Sequence, residues 1–161
     1  LLRPGRSDPT IRAPRGALRL ERIVQLPEGL GELAADATAD GARMLDVLQE
    51  DWAAGTLRFD GWGEALFAAH LGDALLGLCG LTRDPYVQAA AVGRVRRLYV
   101  LRAARRAGVG RALVDAVAEE AARSGYPRLR VRSPASAHAF YERCGFLRAV
   151  GEASATHVRP L

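Results

Sequence analysis

The sequence predicts an α/β fold, with elements in the order strand, two helices, three strands, helix, strand, helix and two strands. Three observations lead there. Short aliphatic runs bounded by glycine or proline read as strands, and Val109 to Ala121 keeps the three-to-four apolar spacing of a helix with one buried face. A glycine-bearing turn also links a strand directly to that helix, the arrangement of an α/β unit.

In chain order, Leu18, Leu20, Ile23 and Val24 predict the first strand. Pro27, then Leu30, Leu33 and Ala34, predict a helix with proline in its first turn. Asp40 reads as the cap of a second helix carrying Met44, Leu45, Val47 and Leu48 and ending before Gly55. Glu64 to Leu71 and Ala74 to Thr82 are apolar runs joined at Gly72-Asp73, a hairpin in which Gly77 and Gly80 read as bulge positions. Val92 to Leu101 is a further strand, and a basic loop from Arg102 to Gly110 leads into the long helix. On the outer face of that helix, Arg111 with Asp115 and Glu119 with Arg123 are spaced as i,i+4 ion pairs. Gly125 stops the helix, and Leu129 and Val131 form a short strand. Pro134 opens a helix through Phe140 and Tyr141 that Gly145 closes, and Phe146 to Val150 and Thr156 to Val158 end the chain as strands.

A length of 161 residues, 49% hydrophobic and 25% charged, fits one globular domain, placed at 17–161 after a loose arm at 1–16 that holds Pro4, Pro9 and Pro14. All 23 cations are arginine and 18 residues are acidic, giving a net charge of +5. That balance favours an anionic partner without choosing nucleic acid, membrane or phosphorylated cosubstrate. The missing lysine and asparagine, with abundant Ala, Arg, Gly, Leu and Val, suit a GC-rich coding bias, which makes part of the arginine content background. The arginines form no stripe interleaved with aromatics, so nucleic acid is not expected as a partner. Ala65 to Leu81 is interrupted by His70 and Asp73 and falls short of a membrane span, so no membrane partner is expected. Cys79 and Cys144 are too few for a disulfide framework, which fits a reducing cytoplasmic setting. His70, His138 and His157 lack metal-ligand spacing, and no metal is expected.

Chemistry first becomes visible where Leu98-Tyr99-Val100 runs into Arg105-Arg106-Ala107-Gly108-Val109-Gly110. Amides at a helix start have no intrahelical acceptor, and with the positive end of the helix dipole they bind anions. Glycine at 108 and 110 lets a phosphate approach the backbone. The pattern alone is weak, since this composition produces about 0.3 chance matches. The Gly-Lys-Ser/Thr ending of a nucleotide-hydrolysing phosphate loop is missing, and so is the third glycine of a dinucleotide fingerprint.

Read together, Arg105-x-x-Gly108-x-Gly110 and the downstream Phe140-Tyr141-Glu142-x-x-Gly145-Phe146 resemble two motifs of the GNAT family of acyl-CoA-dependent N-acetyltransferases, in the family's order. The residue-level likeness is concentrated in 93 to 147. The resemblance implies a mixed sheet of about seven strands with about four helices, splayed open between the strand ending at Val100 and that at Leu129 to Val131, with acetyl-CoA in the gap. It implies main-chain contacts from Leu98, Tyr99 and Val100 to the pantetheine arm, and Arg105, Arg106, Ala107, Gly108, Val109, Gly110 and Arg111 around the pyrophosphate. Val100 N–H would polarise the thioester carbonyl, and Tyr141 would be the general acid for the departing thiolate. A phenol suits a leaving group whose pKa is roughly 8.5 or above. The alternative for Tyr141 is an aromatic packed at a helix end.

The chain departs from the family pattern at Arg94, where some members carry a general-base glutamate. Glu64, Asp60, Asp84, a water chain or no base at all remain open in its place. Trp52 reads as core and Trp62 as a lining residue for the acceptor, near the variable stretch Thr56 to Gly63. The expectation is an N-acetyltransferase acting directly on a primary amine of a small molecule or peptide, with a homodimer as an expected assembly for the family. A GNAT-fold acyl-CoA-binding or regulatory module without catalysis is the alternative.

Overall fold

A computed structural model describes residues 16–161; apart from Gly16, the arm expected at 1–16 lies outside the described residues. The chain forms β1 (Leu18–Arg22), α1 (Leu30–Ala39), α2 (Met44–Ala54), β2 (Ala65–Leu71), β3 (Ala74–Arg83), β4 (Gly93–Val100), α3 (Val109–Arg123), β5 (Arg128–Val131), α4 (His138–Arg143), β6 (Leu147–Arg148) and β7 (His157–Pro160). Single 3-10 turns occupy Arg102–Ala104 and Ala135–Ala137. The order of strands and helices is the one expected, as are the α/β class and the mixed seven-stranded sheet, which runs β1-β2-β3-β4-β5-β7-β6. Its neighbours are antiparallel except β4 and β5, which are parallel and therefore need the crossover that α3 supplies.

Both faces of the sheet are covered. On one, α3 buries Val109, Leu113, Val117 and Ala121 against Ala65, Leu81, Val95 and Leu129, joined by Tyr141 and Phe146 from the α4 region. On the other, Leu33 of α1 and Leu45 and Leu48 of α2 meet Leu66, Leu78 and Tyr99. Each such aliphatic side chain contributes about 1.5–3 kcal/mol, far more than a surface ion pair. The two i,i+4 pairs expected on α3 do not form. Arg123 instead bonds Glu120 at 2.9 Å, and Asp115 receives Arg159 at 3.3 Å.

Four local expectations are corrected. Pro27 precedes the helix, which starts at Leu30 after Gly29 turns the chain at φ 87°. Asp40 closes α1 with its N–H on Ala37 and Asp36 carbonyls, and α2 begins only at Met44. Past Pro134 the chain makes one 3-10 turn before α4 begins at His138. Gly80 is not a bulged residue, whereas Gly77 adjoins one: β3 carries an extra residue, Leu76, between the pairs Gly77–Ala69 and Leu75–His70. At both glycines close neighbours also exclude a side chain, since a Cβ would sit 2.8 Å from Tyr99 O at Gly77 and 2.5 Å from the Phe59 ring at Gly80.

A second bulge lies across from Gly80, in β4. Gly80 pairs with Arg96 but Leu78 pairs with Tyr99, so β4 holds one extra residue, and Arg97 takes φ 57°. Because side chains alternate with period two, the insertion resets the faces. Val95, Leu98 and Val100 all reach the α3 side, while Tyr99 packs on the α1 and α2 side and Arg97 pairs with Asp51 of α2.

β4 and β5 share only two register pairs, Gly93 with Leu129 and Arg94 with Arg130. The second sets two arginines opposite each other, each less than a tenth exposed. Asp84 resolves the conflict: its Oδ2 accepts from Arg94 at 3.1 Å and from Arg130 at 2.7 Å, and its Oδ1 accepts Tyr86 N–H at 2.9 Å. Arg94 also donates to Ser154 O, and Arg130 to Glu152 and the Ser154 hydroxyl. Asp84→Ala would leave two buried guanidiniums facing one another, and denaturant titration is expected to show a loss of about 3–5 kcal/mol. A loss below about 1 kcal/mol would mean the cluster does not hold the strands together.

Candidate functional site

Beyond Arg94, β4 continues to Val100 with no strand beside its free edge among the described residues. A cavity of about 1040 Å³ opens there, bounded by β4, the loop into α3, the chain from Val131 to Ala137, α4, and the turn between α1 and α2. Of the residues expected to bind cosubstrate, Leu98, Tyr99, Val100, Arg105, Arg106, Gly108, Val109, Gly110 and Arg111 line it, together with Tyr141; Ala107 does not.

Backbone orientation along the gap follows from one hydrogen bond. Leu101 N–H donates to Leu76 O on the β3 side at 2.8 Å, so the Val100 carbonyl of the same trans peptide points the other way, into the gap. In an extended strand a residue's N–H and C=O share one side, which aims Val100 N–H into the gap as well. Strand alternation gives Leu98 the same orientation.

At the gap's wide end, Arg106 takes φ 65° and Gly108 φ 82°, two left-handed residues that fold the loop back onto α3. The first intrahelical bond of α3 runs from Ala112 N–H to Gly108 O at 3.0 Å, which leaves the amides of Val109, Gly110 and Arg111 at the unpaired helix start. The two glycines serve different needs. At Gly108 a Cβ would meet nothing within 4 Å, so it is the dihedral that favours glycine, whereas at Gly110 a Cβ would lie 3.1 Å from the Phe140 ring. Phe140 thus roofs the helix start, a role its motif alone did not reveal.

Tyr141 is 5% exposed and edge-packed on Phe140 and Phe146, at 5.1 and 5.3 Å between ring centroids. His157, fully buried and held by Thr156 and Glu142, stacks on it at 6.4 Å. No described residue hydrogen-bonds the phenol oxygen. Burial first, and then the neighbouring Cys79 and Cys144 sulfurs, push its pKa far above that of a free phenol, so the hydroxyl holds its proton. The packing is that of the aromatic foreseen as the alternative for Tyr141, with the hydroxyl left unbonded toward the cavity.

Other side chains are committed elsewhere. The Tyr99 phenol leaves the gap and donates to Asp36 Oδ2 at 2.6 Å, where burial and that carboxylate raise its pKa to about 12. Arg105 donates to Val100 O at 3.1 Å and to Asp40 at 2.7 Å, with its guanidinium 5.3 Å from the Tyr99 ring centroid. Arg106 and Arg111 are exposed and without a carboxylate partner among the described residues. Asp84, one of the carboxylates considered as a base, is consumed by Arg94 and Arg130, and Asp60 and Glu64 lie away from the cavity. Trp62 is likewise away from it, 74% exposed and edge-on to Tyr126, whereas Trp52 packs on the α1 and α2 core. The Cys79 and Cys144 thiols are both pushed up by burial, which disfavours a nucleophilic thiolate. Among the described residues no cluster of His, Cys, Asp and Glu could hold a metal ion, and no helix is long and apolar enough to cross a membrane.

One feature went unseen in the sequence. Eight arginines line the cavity (94, 96, 97, 105, 106, 111, 132 and 143) against a single carboxylate, Asp40. The evenly spread arginine background hid this convergence, which depends on the bulge and on the loop between β5 and α4.

Comparison with known proteins bears on this geometry. The family model of the acetyltransferase (GNAT) domain matches residues 62–148. A candidate acetyltransferase from Exiguobacterium sp. 255-15 superposes with a TM-score of 0.78 at 29% identity, covering 89% of this chain and 93% of that one. A GNAT-family acetyltransferase from Staphylococcus aureus Mu50 aligns with TM-score 0.67 at 16% identity, over 90% of this chain and 99% of its own. A GCN5-related N-acetyltransferase from Ralstonia eutropha JMP134 gives 0.62 at 19%, over 86% and 97%. The last two show a shared fold. A comparison with curated proteins finds no match.

Removing the Tyr99 hydroxyl tests the link between β4 and α1. Tyr99→Phe is expected to cost about 1.5–3 kcal/mol in denaturant titration, as for a hydrogen bond to a charged group. An unchanged midpoint would show that Asp36 is satisfied by Arg102 alone.

Proposed function

The chain belongs to the GNAT acetyltransferase family, and from that premise we propose that residues 17–161 form an N-acetyltransferase domain that moves acetyl from acetyl-CoA directly to a primary amine. The observation that carries this is the meeting, in one gap, of an anion-binding helix start and a phenol that no described residue hydrogen-bonds. Acetyl-CoA brings an acetyl group activated as a thioester. Its fit is supported by the volume of the gap, by the amides of Val109, Gly110 and Arg111 for a pyrophosphate, and by the free edge of β4 for an extended pantetheine arm.

Within this reading each group has a task. Leu98 holds the arm through main-chain bonds, and Val100 N–H polarises the acyl carbonyl as a fixed dipole. Arg105 keeps the Val100 carbonyl occupied and so fixes that peptide's orientation. As the amine nitrogen bonds to the acyl carbon and the carbon–sulfur bond breaks, Tyr141 Oη delivers its proton to sulfur; the amine's surplus proton leaves to water, and water returns a proton to the phenolate, which restores Tyr141 for the next turnover. Cys79 and Cys144 have no part in it.

The absence of a free carboxylate among the described cavity residues raises the question of a base. It also favours a second reading, a binding module without turnover. Asp40 is tied to Arg105 and cannot serve without breaking that pair. The five cavity guanidiniums without a carboxylate partner among the described residues, Arg96, Arg106, Arg111, Arg132 and Arg143, offer another route: a positive environment disfavours the ammonium form and lowers the pKa of an amine held there, so the acceptor reacts neutral.

Acetyl-CoA at about 100 times its dissociation constant should stabilise the protein by about 2.7 kcal/mol in a thermal melt. No stabilisation would overturn the proposal, and stabilisation without thiol release from an amine panel would favour the binding module. Tyr141→Phe should keep the thermal shift while turnover falls about 10²-fold or more, as expected for loss of a general acid. Unchanged turnover would remove Tyr141 from proton transfer.

A further inference from the structure

Arg96 stands apart among the eight arginines of the cavity. Arg94, Arg97 and Arg105 are neutralised by Asp84, Asp51 and Asp40. Arg106, Arg111, Arg132 and Arg143 are exposed, where water and counterions screen them. Arg96 is half-buried and has no carboxylate partner among the described residues; its one bond is a long 3.4 Å contact to the Thr82 hydroxyl. Burial, then Arg97 and Arg94, lower its pKa, the mark of a guanidinium held where its charge is poorly compensated. Beside it, Arg97 Nε is buried with no hydrogen-bond acceptor. A charge this poorly matched is costly unless something else completes it.

The phosphates of acetyl-CoA are badly placed to do so. The helix start that suits them is on the α3 face of the sheet, with Val100 and Phe140. Arg96 is four residues earlier on β4, and its neighbours are Thr82, the Phe59 ring over Gly80, and Arg97 with its α2 partner Asp51, all on the α1 and α2 face. The bulge at Arg97 causes this separation, because it sends Arg96 and Arg97 to one face and Leu98 and Val100 to the other. An anion at Arg96 therefore approaches from the side opposite the pyrophosphate loop.

We propose that the acceptor amine carries an oxyanion, a carboxylate or a phosphate, which Arg96 receives on the α2 side of the cavity. The inference rests on the acetyltransferase reading and narrows it to a substrate class. Arg96 is then a specificity residue: its planar fork donates to two oxygens and positions the amine, while the surrounding positive charge repels cationic polyamines.

The test is thiol release from acetyl-CoA with matched acceptor pairs, amino acids against their carboxamides and phosphoethanolamine against ethanolamine, compared at equal concentrations of unprotonated amine. In at least one pair the anionic member should be preferred about tenfold or more in kcat/KM, the worth of one charge-assisted hydrogen bond. Arg96→Gln should raise that acceptor's KM about tenfold and leave the dissociation constant of acetyl-CoA unchanged, with Arg96→Lys recovering part of the loss. Equal use of neutral and anionic partners by the unaltered protein would overturn the inference while leaving the acetyltransferase standing. So would an Arg96→Gln variant whose acetyl-CoA affinity falls in place of its acceptor affinity. Thermal stabilisation by acetyl-CoA with no thiol release from any amine would instead remove the transferase reading, and the inference with it.

Discussion

Asp84 lies between two guanidiniums at the last register pair of β4 and β5, and the usable form of the sheet depends on it. Like charges set directly opposite each other on adjacent strands repel. With the carboxylate between them and the side chains less than a tenth exposed, Arg94 and Arg130 become a pin that holds two strands together at one end only. Past the pin the strands part, and the open edge of β4, the helix start beyond it and the Tyr141 hydroxyl all face the space so created. A pin made of charges is also demanding, since each of its members is costly to bury alone. That explains the surrounding second layer: Ser154, Glu152 and the backbone of Tyr86 satisfy what the three ionised groups leave over.

Much of this architecture was legible in the residues. Strand and helix order follows from apolar spacing and glycine punctuation, both of which are local properties. The helix start at Val109 and the helix end at Gly145 were readable for the same reason. What failed were features decided by neighbours distant in sequence. Gly80 suggested a bulge but is required by the Phe59 ring, which approaches from a loop. Asp40 had the chemistry of a cap, yet it ends α1 and pairs with Arg105, 65 residues away. Arg94 looked like a missing catalytic acid and is half of a structural clamp. Trp62 was credited with a role by proximity in sequence to a variable segment, and it packs on Tyr126 instead.

The arginine content divides along the same line. In a chain without lysine no single arginine stands out, and a coding bias accounts for their number better than function does. Their pairing is less uniform. Asp36, Asp40, Asp51 and Asp84 each take up one or more arginines from β4 or the loop after it, a division that composition cannot express. Once those pairs are set aside, the arginines of β4 and that loop left without a carboxylate among the described residues are Arg96 and the exposed Arg106.

A gap that passes through a sheet has two mouths. On the proposed function, donor and acceptor would enter by different ones, so neither needs to leave before the other arrives. The kinetic consequence is a ternary complex: initial-rate lines for varied amine at several acetyl-CoA concentrations should intersect, as parallel lines would require an acylated protein that the buried thiols are ill-suited to form.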